Sequence, residues 1–398
     1  MQLNQDDMIS RELTTPMSYQ SPPNQPEVEY IDNHLTDVEV ENVDDYSARE
    51  VEPWDPQKIR VQTKHFSLHQ IVEMIDSNEI DLAPDFQRQY VWKARQRSSL
   101  IESLLLGIPL PSFYFNEDAS LKFQVVDGVQ RLTTIFNFLK NKEVTLGEVT
   151  YLTDFEGKGY SELDAPFRRR IAQTQFVVHV IDSQTPYRVK FEIFRRINTG
   201  GSPLYPQEIR HCMSKDRSRK FLKALANDPD FLTATGGAFK DHPRMADREV
   251  VLRFLAFRIC SPDEYAQHPS FDDFLGSVTE RLDNDISEEE LRKLRVDFIR
   301  TMKNSYVVFG DNAFRKWPWG AKRRYPVNKA LLESWSTVLA DYSETSINQN
   351  AGELARHARQ MMTEDQEFMN AISSSTGSVS NVRIRLAKVQ DSVKGILS

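Results

Sequence analysis

A chain of 398 residues, 39% hydrophobic and 27% charged, has length enough for two domains and the make-up of a soluble globular protein. No apolar run nears the roughly 18 residues of a membrane helix, and the opening residues show neither the basic region nor the apolar stretch of a secretory leader. The net charge of −8 is unevenly placed: residues 1–55 hold 14 Asp/Glu against Arg11 and Arg49, leaving 48 Lys/Arg and 44 Asp/Glu elsewhere, a net of +4. A polyanionic partner is therefore not excluded by the acidic total. Only Cys212 and Cys260 are present, with no CxxC, which argues against structural zinc and suits a reducing, cytoplasmic setting.

In chain order, residues 1–55 are rich in Asn, Gln, Pro, Ser and acid, and are expected to form a disordered tail. Its charge serves either simple solvation or mimicry of nucleic acid that holds the protein inactive. A compact pattern begins near residue 56. Leu68, Ile71, Val72 and Ile75 predict a helix capped by Ser67, with Gln70 completing a capping box. The segment "DLAPDFQRQYVW" reads as extended, and "QRSSLIESLLLGIPLP" as a helix ending at Gly107. "SFYFNEDASLKFQVVDG" predicts a β-hairpin, and "VTLGEVTYLTDFEGKGYSEL" short strands and turns. "FRRRIAQTQFVVHVID" gives a helix and then a strand, and "RVKFEIFRRINTGGSPL" a helix stopped at Gly200-Gly201. After Pro206 the 3.6-residue period persists, with Ser287 and Glu290 as a second capping box. The expected layout is thus a tail (1–55), an α/β domain (56–205) and an α-helical domain (206–398).

The stretch "FQVVDGVQRLTTIFNFL" changes period at its centre. Phe123, Val125 and Val126 suit a strand, and Leu132, Ile135, Phe136 and Leu139 suit a helix. The corner falls on Asp127-Gly128-Val129-Gln130. A helix start offers unpaired N–H groups and positive potential, Gly128 permits close approach, and Arg131 carries a donor fork matched to phosphate. Thr133 or Thr134 would add a hydroxyl. The alternative is a plain strand-to-helix turn with Asp127 as cap. Neither G-x-x-x-x-G-K-[ST] nor G-x-G-x-x-G occurs.

Several separated motifs then agree in order: Pro84 to Trp92, Leu100 to Pro111, Asp127 to Thr134 and Phe194 to Gly201. Over roughly residues 56–340 the chain resembles the N-terminal domain of the GmrSD-type, modification-dependent restriction endonucleases, within the ParB/sulfiredoxin-like superfamily. The resemblance implies an α+β fold, with a ParB-like N-terminal nucleotide-binding domain followed by an α-helical domain. It makes Asp127, Gly128, Gln130 and Arg131 the nucleotide site, with Arg131 on phosphate and Asp127 holding Mg²⁺ or orienting water. Gln87 and Arg88 would form a second wall, and Asn198 would join it; Arg195 and Arg196 stay open between phosphate contact and solvation. One departure stands out: Val129 replaces the usual first Gln of D-G-Q-Q-R.

Long family members carry a C-terminal HNH nuclease. None of the eight histidines here lies in such a setting, so no HNH domain is expected in this chain. For DNA, Phe314–Lys329 interleaves Arg315, Lys316, Lys322, Arg323 and Arg324 with Trp317, Trp319 and Tyr325, a pattern suited to phosphate contact and base stacking. Its alternative is a loop pinned by its tryptophans. The basic segment "HCMSKDRSRKFLKAL" reads as a solvated helix. Together these imply a prokaryotic, cytoplasmic nucleotide-binding regulator or sensor, an NTP hydrolase of a restriction or phage-defence system, using a nucleoside triphosphate and Mg²⁺. Its partners would be DNA and a separate effector nuclease, with a homo-oligomer left open. Two rivals remain: a metal-dependent DNA nickase of ParB-like type, and a non-catalytic DNA-binding scaffold.

Overall fold

Ser67 closes the edge strand of a five-stranded sheet and opens the first helix. The computed structural model describes residues 26–31, 34–41, 58–82, 92–118, 121–141, 144–197 and 204–397. A two-stranded antiparallel pair comes first, β1 (Val28–Ile31) and β2 (His34–Glu39). Next, β3 (Val61–Ser67) runs into α1 (Leu68–Asp76), where Ser67 Oγ accepts from the Gln70 amide and Gln70 Oε1 accepts from the Ser67 amide. After β4 (Ile80–Asp81), α2 (Ala94–Leu106) ends at Gly107, which takes the left-handed conformation (φ 77°) that closes a helix without a Cβ clash. The predicted hairpin is β5 (Phe113–Glu117) and β6 (Phe123–Asp127). Then come α3 (Val129–Phe136), α4 (Ala165–Gln173), β7 (Gln175–Ile181) and α5 (Tyr187–Ile197).

The five-stranded sheet has the order β3-β7-β5-β6-β4 and is mixed, since β5–β7 and β4–β6 run parallel. Successive strand residues face opposite sides. Val125 accordingly joins Leu68, Ile101, Leu132 and Phe115 under α1–α3, whereas Val126 and Ile181 meet Phe194 of α5 on the other face.

Ile209 and Cys212 complete that second cluster from α6 (Pro206–Met213), so the sheet's back face is where the helical part begins. The helices continue with α7 (Asp216–Ala226), α8 (Pro229–Thr235), α9 (Ala246–Ile259), α10 (Pro262–Tyr265), α11 (Phe271–Asn284) and α12 (Glu288–Phe309). They end with α13 (Lys329–Leu339), α14 (Glu344–Glu364), α15 (Gln366–Ala371) and α16 (Val379–Leu397). Helix α9 is buried on all sides from Val250 to Ala256, with α7, α11 and α13 packed around it. Ser287 and Glu290 form the predicted capping box of α12. The molecule is an α+β fold followed by helices. No helix of the described residues is long and apolar enough to cross a membrane.

Three expectations are corrected. The leader is not disordered throughout, because β1 and β2 lie within it; residues 1–25 and 42–57 are outside the described residues. Val327 pairs with β2 through its backbone, accepting from the Glu39 amide and donating to the Asp37 carbonyl, each at 2.8 Å, and Val38 is fully buried in the helical core. Between Val144 and Leu163 there are turns and no strands, because carboxylates rather than a ladder satisfy the amides. Glu102 of α2 accepts from the amides of Thr150, Tyr151 and Leu152 at 2.6–3.1 Å. Finally, Arg219 of α7 is not solvated: it is buried and pairs with Asp81 of the sheet at 3.0 Å.

Burial alone would raise the Glu102 pKa, but the three amides hold it below the usual carboxylate value. A carboxylate with a depressed folded pKa contributes stability above its unfolded pKa, about 4.3, and loses it as pH falls through the folded value. Glu102→Gln is therefore expected to lower stability in urea titrations by about 1–3 kcal/mol at pH 7. That difference shrinks below about pH 4.

Candidate functional site at the strand-to-helix corner

The corner forms because β6 ends on Asp127 and α3 begins one residue after Gly128. Gly128 has φ 102°, and a Cβ there would sit 2.3 Å from Phe113 Cδ1 of the neighbouring strand. Only glycine fits, for reasons of packing and backbone together. Arg131, one turn into α3, stacks 4.3 Å over the same Phe113 ring. Its guanidinium donates to the carbonyls of Pro111 and Ser112 and to Asp127 Oδ2, the last at 2.8 Å. Burial lowers the Arg131 pKa, an effect that Asp127 opposes. The D-G-x-x-R motif thus has a complete structural job: it locks the start of α3 to the strand entering β5.

A groove of about 430 Å³ lies beside it, walled by Trp92, Arg95, Gln96, Ser99, Ser103 and Arg131. Arg131 is the only corner residue on this wall. Asp127 reaches it only through its ion pair with Arg131. Gln130 and Thr133 sit on the first turns of α3 outside the groove, and Gln130 Oε1 is buried with no hydrogen-bond partner among the described residues. Thr134 turns its hydroxyl back to the Gln130 carbonyl at 2.7 Å, so it is occupied by the helix. Gln87, Arg88 and Asn198 lie outside the described residues. Arg195 and Arg196 both bind Glu192, at 2.8 and 2.7 Å. Burial would raise the Glu192 pKa, but the two arginines hold it low.

Sequence reading missed Arg95. It is exposed on the first turn of α2, has no ion-pair partner among the described residues, and faces the groove with Arg131. The signal was its position three residues after Trp92, which only a groove on this side of the helix makes meaningful.

No group of three or more His, Cys, Asp or Glu among the described residues could hold a metal ion. Mg²⁺ commonly binds through one or two carboxylates plus substrate phosphates. Asp127 supplies one carboxylate, already shared with Arg131, so any such ion would depend on the nucleotide for most of its ligands. Both cysteines are buried, and desolvation raises their pKa values, with Cys260 pushed up to about 12. Neither is poised as a thiolate nucleophile.

The basic aromatic loop divides in two. Arg315 and Lys316 are buried and pair with Asp37 and Glu39 of β2, at 2.7 and 2.6 Å, which corrects their reading as a free nucleic-acid surface. Lys322, Arg323 and Arg324 are exposed. Trp317 and Trp319 stack on Arg359 of α14, 4.4 and 3.8 Å from its guanidinium carbon, so the tryptophans do pin the loop.

Residues 68–214 match the family described as GmrSD restriction endonuclease, N-terminal domain. The matched segment, from α1 to the end of α6, is similar to a GmrSD-type N-terminal domain, and this points to a component of a DNA-restriction system. No curated protein matches the chain.

Gly128→Ala is expected to cost roughly 2–5 kcal/mol in thermal or urea unfolding, from backbone strain plus overlap with Phe113. Adding Phe113→Leu should recover part of that loss. A neutral Gly128→Ala would show that the ring, not the glycine, gives way.

Proposed function

We propose that the groove between α2 and the corner binds a nucleoside triphosphate, and that the protein is a regulatory or sensor subunit of a DNA-restriction or phage-defence system. The observation that supports it is the convergence of Arg95 and Arg131 on one groove with the Trp92 indole and the hydroxyls of Ser99 and Ser103. Two guanidiniums suit phosphate oxygens, an indole offers a stacking face for a base, and hydroxyls orient a sugar or phosphate. Arg131 is pre-oriented by its carbonyl partners, so little side-chain entropy is lost when a ligand arrives.

Hydrolysis is the further step in this reading. Mg²⁺ on the bound phosphates would supply Lewis-acid chemistry to the transfer. Asp127, bound to Arg131 of the groove wall, would share that ion or orient water; outside the groove, Gln130 Oε1 is a buried acceptor with no partner among the described residues. A buried acceptor left unpaired costs about 1–3 kcal/mol, which a positioned water would relieve. A scaffold without catalysis is the second reading. It is favoured by the engagement of Arg131 with protein carbonyls, which accounts for the motif without any ligand.

Arg131→Ala would confound binding with folding, so Arg95 is the cleaner probe. Arg95→Ala should weaken nucleoside triphosphate binding, read by calorimetry with Mg²⁺, by about tenfold or more, the loss of one charge-assisted contact. Its melting temperature should stay that of the parent. Equal affinity in both proteins, or no binding of any of the four ribonucleotides by the parent, would leave the scaffold reading.

A further inference from the structure

The acids of β2, with Glu41 two residues past its end, lie against a row of cations in the helical part. Asp37 binds Arg315 and Arg324 at 2.7 and 3.1 Å. Glu39 binds Lys316 at 2.6 Å, and Glu41 binds Arg253 at 2.6 Å. Glu29 of β1 reaches His242 at 3.1 Å. Beneath the pair is a cavity of about 420 Å³ whose bundle-side lining includes Arg210, Arg244, Arg253 and Lys329 against Glu249 and Asp272. The hairpin adds Glu27, Glu29, Glu39 and Glu41 to that lining. A net positive cavity thus becomes net negative when the hairpin is seated.

We infer that this surface is a binding site for single-stranded nucleic acid, and that the β1–β2 hairpin is its built-in competitor. Asp37, Glu39 and Glu41 alternate along an extended backbone, which spaces same-face carboxylates about 6.8 Å apart, comparable to successive phosphates of an extended single strand. The place beside Arg315, Lys316 and Val327 is filled by one extended chain, β2, which pairs its backbone with Val327, and this favours a single strand over a duplex. Exposed Lys322, Arg323 and Arg324 and the half-exposed Trp319 continue the surface from the slot to solvent.

The hairpin is held by ion pairs and by the backbone pairing of β2 with Val327, with little apolar burial. Val38 is its single member of the helical core cluster among the described residues; Ile31 is also buried, but Tyr30 and Leu35 are 61% and 66% exposed. A segment held by ion pairs yields to a polyanion that offers the same charge pattern, whereas one held by apolar burial would not. The inference is independent of the nucleotide groove, which lies in the α/β part and shares none of these residues.

The test uses the full chain and a fluorescent oligodeoxythymidine. Asp37→Asn/Glu39→Gln/Glu41→Gln should bind it at least tenfold tighter than the parent. Its salt dependence should steepen by about 3 in log–log slope if four cations are released to the ligand. Adding Arg324→Ala should reduce the gain. In parallel, a dye on Leu35→Cys in the otherwise unaltered protein should gain mobility as oligonucleotide is added, since both native cysteines are buried. Unchanged affinity in a folded triple variant overturns the inference. If that variant unfolds, a Leu35 dye that stays immobile at saturating oligonucleotide overturns it equally. Nucleotide binding at the corner is unaffected by either result.

Discussion

Cations buried in the helical part need anions, and satisfying them orders much of the molecule. The side chains of Arg315 and Arg385 are fully inaccessible, and those of Arg253 and Lys316 nearly so. Removing such a charge from water costs several kcal/mol unless a partner and further hydrogen bonds replace the solvent. Glu41 and Glu249 serve Arg253, Asp37 serves Arg315, Glu39 serves Lys316, and Glu333 serves Arg385 from α13. Burial outweighs Arg385 and raises the Glu333 pKa. At Glu249 burial is outweighed instead, and Lys329 and Arg253 hold the carboxyl well below its usual range. The order of the polar leader between residues 26 and 41, the folding-in of the basic loop and the closure by α16 all follow from this demand.

The corner obeys a different constraint, that of volume. Phe113 occupies the space a side chain at 128 would need, so the turn takes glycine and Arg131 lies over the ring. β6 also links the corner to the helices. With its amide oriented toward Arg219, Gln124 Oε1 accepts from that guanidinium at 2.8 Å, and Arg219 holds Asp81 at the sheet's edge. One short strand therefore carries the candidate anion site at its end and the junction with the helical part at its middle.

Local features were legible in the sequence. The Ser67–Gln70 and Ser287–Glu290 caps, the Gly107 stop and the β5–β6 hairpin all depend on residues within a few positions of each other. What escaped depends on distance along the chain. The acids of the leader find partners more than 200 residues away, and composition alone reads such a segment as solvated. The same blindness made Arg315 and Lys316 look like free surface, and Arg219 like a solvated face. Between Val144 and Leu163, β-branched residues suggested strands, but a carboxylate from α2 claimed the amides first. At the groove, D-G-x-x-R supplies one wall through Arg131. The residue best placed to touch a ligand without supporting the fold is Arg95, on a different helix.

Val129 sharpens what the corner is for. It stands where an amide is usual, and it packs, partly buried, against the core under α1–α3. The neighbouring geometry is intact: Gly128 keeps its left-handed backbone, Arg131 keeps three acceptors, and Leu132 is fully buried. The turn therefore forms with an apolar side chain at 129, whose packing against the core is compatible with the other contacts of the corner.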